Sequence, residues 1–201
     1  MRQYANMSHM PVATRVRAAT AADLVESARA RFVRGERIDI ASLADELGVS
    51  RATAYRWAGG NVDALTAKVI GHLAEATFAR AVREARGRGW ARIVDAEERG
   101  LRYTATYPPY RRFLEAEPDK ALRLVASKDG AAHPTMVRLH EDLLAAEARE
   151  GHLRLPVPLH TMAYALVRVA ESFLYADLIT GEEPDIEQAM QVMRLLCRDP
   201  A

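Results

Sequence analysis

Residues 39–65, DIASLADELGVSRATAYRWAGGNVDAL, constrain this chain more than any other stretch. Asp39 is a helix N-cap, and Ile40, Leu43, Ala44 and Leu47 follow it at helical spacing. Gly48 ends that helix, because the residue past a helix C-terminus often needs positive φ, which glycine adopts without strain. Ser50 caps a second helix running from Arg51 to about Ala58, and Gly59-Gly60 stops it. Two short helices joined by a tight Gly-containing turn make a helix-turn-helix, the unit that lays its second helix in a DNA major groove.

The second helix carries Arg51, Thr53, Tyr55, Arg56 and Trp57, groups suited to base edges and phosphates. Arg51 and Thr53 stand in its first turn. An Arg can take guanine O6 and N7 together, and a Thr methyl can meet a thymine methyl. Ser50, with the N–H groups of the helix N-terminus, suits a phosphate. Aromatic spacing in a helix also means packing, so Tyr55 and Trp57 have a core reading beside the DNA reading.

The stretch IASLADELGVSRATAYRW resembles the DNA-binding segment of the TetR family of one-component transcriptional regulators. Leu43-Ala44, Gly48-Val49-Ser50, Thr53 and Tyr55-Arg56 fall where that family's pattern has them, and the match covers roughly residues 20–70. The resemblance implies a phosphate-backbone role for Tyr55. It departs after the second helix: Ala58-Gly59-Gly60-Asn61 stands where the family has an aromatic and a phosphate-binding Lys. Asn61 can donate to a phosphate but brings no charge.

Composition narrows the rest. The net charge is +1 over 201 residues. Residues 1–60 hold 9 Arg against 6 Asp+Glu, a net of +3, and the remainder holds 19 Lys+Arg against 21 acids, a net of −2. The basic excess therefore lies with the helix-turn-helix. No apolar run spans a bilayer and no signal-peptide core follows Met1, so the expected location is the cytoplasm. The single Cys197 fits a reducing compartment and offers neither an intrachain disulfide nor a cysteine-rich zinc site.

Periodicity predicts an all-α chain of about nine helices with no strand alternation. Residues 1–13 read as a frayed arm. The first helix is expected from about Arg15 to Arg34, burying Leu24, Ala28 and Phe32, with Arg15 and Arg17 either on phosphates or on a solvated face. A long helix from Asn61 to about Arg86 connects two units, residues 1–66 for DNA binding and 67–201 for ligand binding and dimerisation. Further helices are expected over 90–107, 110–127 (one or two, broken near Pro118), 134–151, 159–180 and 184–198, with Pro108-Pro109 acting as a stop.

In the 159–180 helix, Met162, Leu166, Ala170, Phe173, Leu174 and Leu178 make a wide apolar face, and Tyr164, Arg168, Glu171, Ser172 and Tyr175 gather opposite. With Ile186, Ala189, Met190, Met193, Leu195 and Leu196 of the last helix, these residues either form half of a four-helix homodimer interface or cap the monomer core. The polar stripe faces solvent, forms an Arg168–Glu171 pair, or lines a cavity. The TetR resemblance implies such a cavity. The tail ESFLYADLITGEEPDIEQAMQVMRLL, with RV upstream, also resembles the QsdR-like branch, associated with degradation of quorum-sensing lactones. That resemblance implies a γ-lactone or acyl-homoserine lactone ligand. Arg168 would donate to its carbonyl and Glu171 would accept from an amide or hydroxyl. Trp90, Tyr103 and Tyr107 would form walls, with His140 as a titratable neighbour.

Enzymatic motifs are absent: no GxSxG, P-loop or HExxH occurs, and no two histidines are spaced i, i+4 for metal. The expectation is a homodimeric, non-enzymatic regulator of a palindromic DNA operator, a repressor released by a small effector, needing no cofactor or metal. Its rival is a helical DNA-binding protein controlled by a protein partner. An elongated cavity bordered by Tyr103, His140 and Arg168 favours the sensor, and a closed core favours the rival.

Overall fold

Thr20 starts the first helix. Its hydroxyl accepts from the Asp23 N–H while the Asp23 carboxylate accepts from the Thr20 N–H at 2.7 Å, a capping box that fixes α1 at Ala21–Arg34. This start lies six residues after the expected Arg15, because the cap satisfies N–H groups that a longer helix would have bonded internally. The computed structural model describes residues 18–127 and 130–198, so Arg15 and Arg17 and the expected N-terminal arm fall outside the described residues.

Helix α2 (Ile40–Leu47) starts at Asp39, whose carboxylate accepts from the Ser42 N–H at 2.7 Å. It ends at Gly48, φ 66°, where the Gly48 and Val49 N–H groups turn back onto Asp45 and Ala44 carbonyls. A side chain at that φ would be strained, so the sharp turn into α3 (Arg51–Ala58) depends on glycine. Helices α1 to α3 close over Leu24, Ala28, Ile40, Leu43 and Ala54, all fully buried. Arg31 ties α1 to α2 through Ser42 at 3.0 Å and Glu46 at 2.8 Å.

From Asn61, α4 (Val62–Glu84) packs against α1 and α3 at its start and chiefly against three of the remaining helices beyond. The remaining helices are α5 (Trp90–Ala105), α6 (Pro108–Ala116), α7 (Pro118–Ala126), α8 (Ala132–Arg149), α9 (Leu159–Leu174), α10 (Ala176–Ile179) and α11 (Ile186–Leu196). The three against α4 are α5, α7 and α8. Among the described residues the chain is all-α, with eleven helices and no strand. The extra helices arise where 110–127 divides at Glu117 and 159–180 breaks at Tyr175. Pro108 and Pro118 open α6 and α7, where a missing N–H and a fixed φ cost nothing. The proline pair expected only as a stop is thus also a start.

The bundle is α4, α5, α8 and α9, with α11 across α5 and α9. Most of the apolar face of α11 is spent inside the monomer, since Ala189, Met190 and Met193 are fully buried, whereas Leu195 is 63% exposed. The α4–α5 connection lies close against the C-terminal end of α8. The Gly89 N–H donates to Glu147 at 2.7 Å, and a Cβ at Gly89 would lie 2.1 Å from the His152 carbonyl oxygen. Burial opposes ionisation of Glu147, but the Gly89 N–H and the Arg92 guanidinium at 2.5 Å overcome it and hold its pKa low.

Helices α6 and α7 bridge the bundle to the helix-turn-helix head. The Phe113 ring lies 5.5 Å from that of Phe32, Arg112 donates to the Val33 carbonyl, and Asp63 pairs with Lys120 at 3.1 Å and Arg123 at 3.0 Å. No described helix is long and apolar enough to cross a membrane.

Candidate functional site

The outer face of α3 follows from its burial pattern. Ala54 and Ala58 are fully buried, leaving Arg51, Ala52, Tyr55 and Arg56 on two adjacent exposed rows, with Tyr55 42% exposed. Ser50 Oγ accepts from the Thr53 N–H at 3.1 Å and lies 2.9 Å from Thr53 Oγ1. Both hydroxyls are thus engaged in the N-cap, with Ser50 exposed and Thr53 half-buried. Trp57 is half-buried and packs on the core. Asn61 is exposed and caps α4, its side-chain oxygen accepting from the Ala64 N–H at 2.8 Å, which leaves its amide hydrogens outward.

Sequence reasoning missed Lys68. Its Nζ donates to the Trp57 carbonyl at 2.6 Å, placing a cation on the end of α3 where unsatisfied carbonyls concentrate negative potential. A lysine eleven residues beyond Trp57 gives no local signal of this contact.

Inside the bundle, α4, α5, α8 and α9, with Tyr107, Tyr110 and Tyr175, line a partly open cavity of about 90 Å³. Its walls are apolar, chiefly Ile70, Leu73, Phe78, Leu101, Met136, Val167 and Leu174. Of the six residues expected around a ligand, Tyr107, His140 and Glu171 line it, while Trp90, Tyr103 and Arg168 do not. Trp90 is buried two turns before Glu97, at the start of α5. Tyr103 turns away from the lining face of α5, its hydroxyl donating to Glu84 and its ring beneath the Arg80 guanidinium. Arg168 is exposed and holds Glu171 Oε2 at 2.7 Å from outside, while His133 Nδ1 meets Oε1 at 2.8 Å. Arg168 and Glu171 are therefore an ion pair at the cavity wall, with both Glu171 oxygens occupied.

Two polar pairs at the cavity had no signal in the sequence. His140 Nδ1 lies 2.6 Å from the Met136 carbonyl, which can only accept, so Nδ1 carries a hydrogen. Its Nε2 lies 2.6 Å from Glu97 Oε1, an ion-pair contact bent away from hydrogen-bond alignment, and both groups are buried. Burial disfavours the imidazolium, yet the Glu97 carboxylate and the Met136 carbonyl outweigh it and raise the His140 pKa. The ring stacks on Phe78 with centroids 4.4 Å apart. Across the cavity the Tyr110 and Tyr175 hydroxyls meet at 2.7 Å, and burial raises the pKa of both.

Elsewhere, Glu147, Glu150 and His152 gather closely enough to suit a cation, but Glu147 is already bound to Gly89 and Arg92. A wider groove of about 810 Å³ separates head and bundle, and Lys120 and Asp63 on its rim pair with each other.

Comparison with known proteins places these features. Residues 88–198, more than half of the chain, match the family described as Tetracyclin repressor-like, C-terminal domain. The structure of the transcriptional repressor QsdR, of the TetR family, from R. erythropolis superposes with a TM-score of 0.81 at 28% identity, covering 90% of this chain and 97% of that one. A TetR-family transcriptional regulator from Streptomyces coelicolor is far more distant, with a TM-score of 0.48 at 18% identity over 88% of this chain and 78% of that one. No curated protein matches the sequence significantly. The helix-turn-helix head, the helical bundle and these matches agree: the chain belongs to the TetR family of transcriptional regulators and to its QsdR-like branch.

Proposed function

We propose that the protein is a ligand-responsive repressor that acts as a cytoplasmic homodimer on a palindromic operator and has no catalytic role. The observation that carries this reading is the pairing of an exposed α3 face with a polar-edged cavity in the bundle behind it. Each subunit would set Arg51 in a major groove, with Tyr55 and Arg56 beside it and Ser50 and Asn61 on the backbone. The division into 1–66 and 67–201 falls inside α4, so the helix whose start receives the end of α3 also forms a cavity wall. Leu195 and Tyr164, exposed on α11 and α9, belong to the surface available to a second subunit.

A cavity of about 90 Å³ is smaller than the roughly 300–1,000 Å³ of sites for drug-sized ligands. An acyl-homoserine lactone or other γ-lactone must therefore enlarge it by parting the bundle helices. Ligand would favour a spread bundle, and DNA a different spacing of the two α3 helices, so the two compete through differential affinity for the two states. Of Tyr103, His140 and Arg168 only His140 borders the cavity, and what supports this reading over control by a protein partner is the few polar groups, Glu97, His140 and the tyrosine hydroxyls, set in an otherwise apolar lining.

The test is an anisotropy titration of the homodimer on DNA upstream of its own gene, at fixed salt, with and without hexanoyl-homoserine lactone. Specific binding weakened by the lactone supports the whole reading. Specific binding indifferent to lactones removes the effector class. Failure to select any DNA from a random-sequence pool overturns the DNA-binding reading.

A further inference from the structure

Glu97 carries a feature that the lactone reading does not use. Oε1 is fully buried and faces His140 without an aligned hydrogen bond, and among the described residues none reaches Oε2 either, although Glu97 is only 3% exposed and lines the cavity. A buried acceptor left without a donor is costly. Opposite stands the reverse case. Of the two hydroxyl hydrogens on Tyr110 and Tyr175, one is consumed by their mutual 2.7 Å contact and the other has no acceptor among the described residues.

We propose that, with the cavity serving as the effector site, Glu97 and the Tyr110–Tyr175 hydroxyl pair are its specificity-determining groups and select a neutral molecule bearing both an N–H or O–H donor and a carbonyl, while rejecting carboxylates. Glu97 accepts from the donor, and the free tyrosine hydrogen is given to the carbonyl. Rejection follows from the charges at the wall. No lysine or arginine lines the cavity. The Glu97 carboxylate lies against His140, and that of Glu171 is balanced by Arg168. A ligand carboxylate would enter as a third anion with no free cation to meet it, in apolar surroundings where an unpaired charge is far costlier than a neutral amide. The site thus distinguishes an amide-bearing lactone from the acid left when its ring is opened by hydrolysis.

The test is calorimetric titration of the full-length protein at pH 7.5 with hexanamide, hexanoate and hexanoyl-homoserine lactone. Hexanamide and the lactone are expected to bind, with hexanoate weaker than hexanamide by about tenfold or more. In Glu97→Gln the hexanamide affinity should fall and that of hexanoate should rise, so that the gap narrows. Hexanoate binding as tightly as hexanamide to the wild type overturns the proposal while leaving the cavity as the effector site. Lactone binding without hexanamide binding also overturns the donor anchor alone. Failure of all three to bind overturns the effector reading together with this proposal. The wild-type comparison decides the matter even if Glu97→Gln does not fold.

Discussion

Lys68, two turns into α4, holds the carbonyl of Trp57 at 2.6 Å and so fixes the trailing end of α3 to the helix that continues into the bundle. Replacing it with methionine keeps the aliphatic stem but removes the charge and the donor. Lys68→Met is expected to leave the circular dichroism spectrum unchanged and to weaken operator binding severalfold, read by anisotropy at fixed salt. Unchanged affinity would show that α3 is positioned by core packing alone.

Arg51 is the exposed cation in the first turn of α3. Arg51→Ala should weaken specific binding by about 1–3 kcal/mol and relax preference at one base pair per half-site. A uniform loss across all sequences, with a shallower salt dependence, would instead mark Arg51 as a phosphate contact.

Stability should fall as pH rises above neutrality. The folded pKa of His140 is raised above its ordinary value, so its contribution is fully present below about pH 6.5, the unfolded value, and is lost as pH climbs through the higher folded value. The groups facing it are Glu97, the Met136 carbonyl and, more distantly, Glu171. Melting curves from pH 6 to 9 should show a decline in wild type that is flattened in His140→Gln. Parallel curves for the two proteins would refute the assignment.

Gly89 combines φ of 55° with a Cβ position 2.1 Å from the His152 carbonyl oxygen. Backbone crowds it from outside, and no rotamer change relieves that contact. Gly89→Ala should destabilise the protein by more than about 1 kcal/mol, visible as a lower urea midpoint with an unchanged m-value. Gly151→Ala, at φ 75° with nothing within 4 Å of the added Cβ, serves as the strain-only comparison.

The helix-turn-helix was legible because its information is local. Asp39, Gly48, Ser50 and Asn61 each act within three residues of their position, and all four cap where the spacing places them. The cavity was legible only in part because its chemistry is made across helices. Glu97 sits in the run Glu97-Glu98-Arg99, which reads as a solvated helix face, and only the approach of α8 brings His140 to it. Tyr110 and Tyr175 meet across sixty-five residues. Arg168, a donor to a ligand carbonyl in what the resemblance implies, instead makes the i, i+3 pair with Glu171 that its spacing also allowed, its guanidinium on the outside of the bundle. Tyr103 failed by helical phase, one residue short of Thr104 on the lining face of α5.

The small volume between α4, α5, α8 and α9 has a consequence for dose. If the binding-competent bundle is a minor population, the apparent dissociation constant is the intrinsic one divided by that population. The concentration at which such a regulator responds is then set by how seldom its resting form loosens as well as by the quality of the contacts made afterwards. Substitutions such as Gly71→Ala, where a Cβ would sit 3.0 Å from the Ala131 methyl, could retune the alarm threshold without touching a single ligand atom.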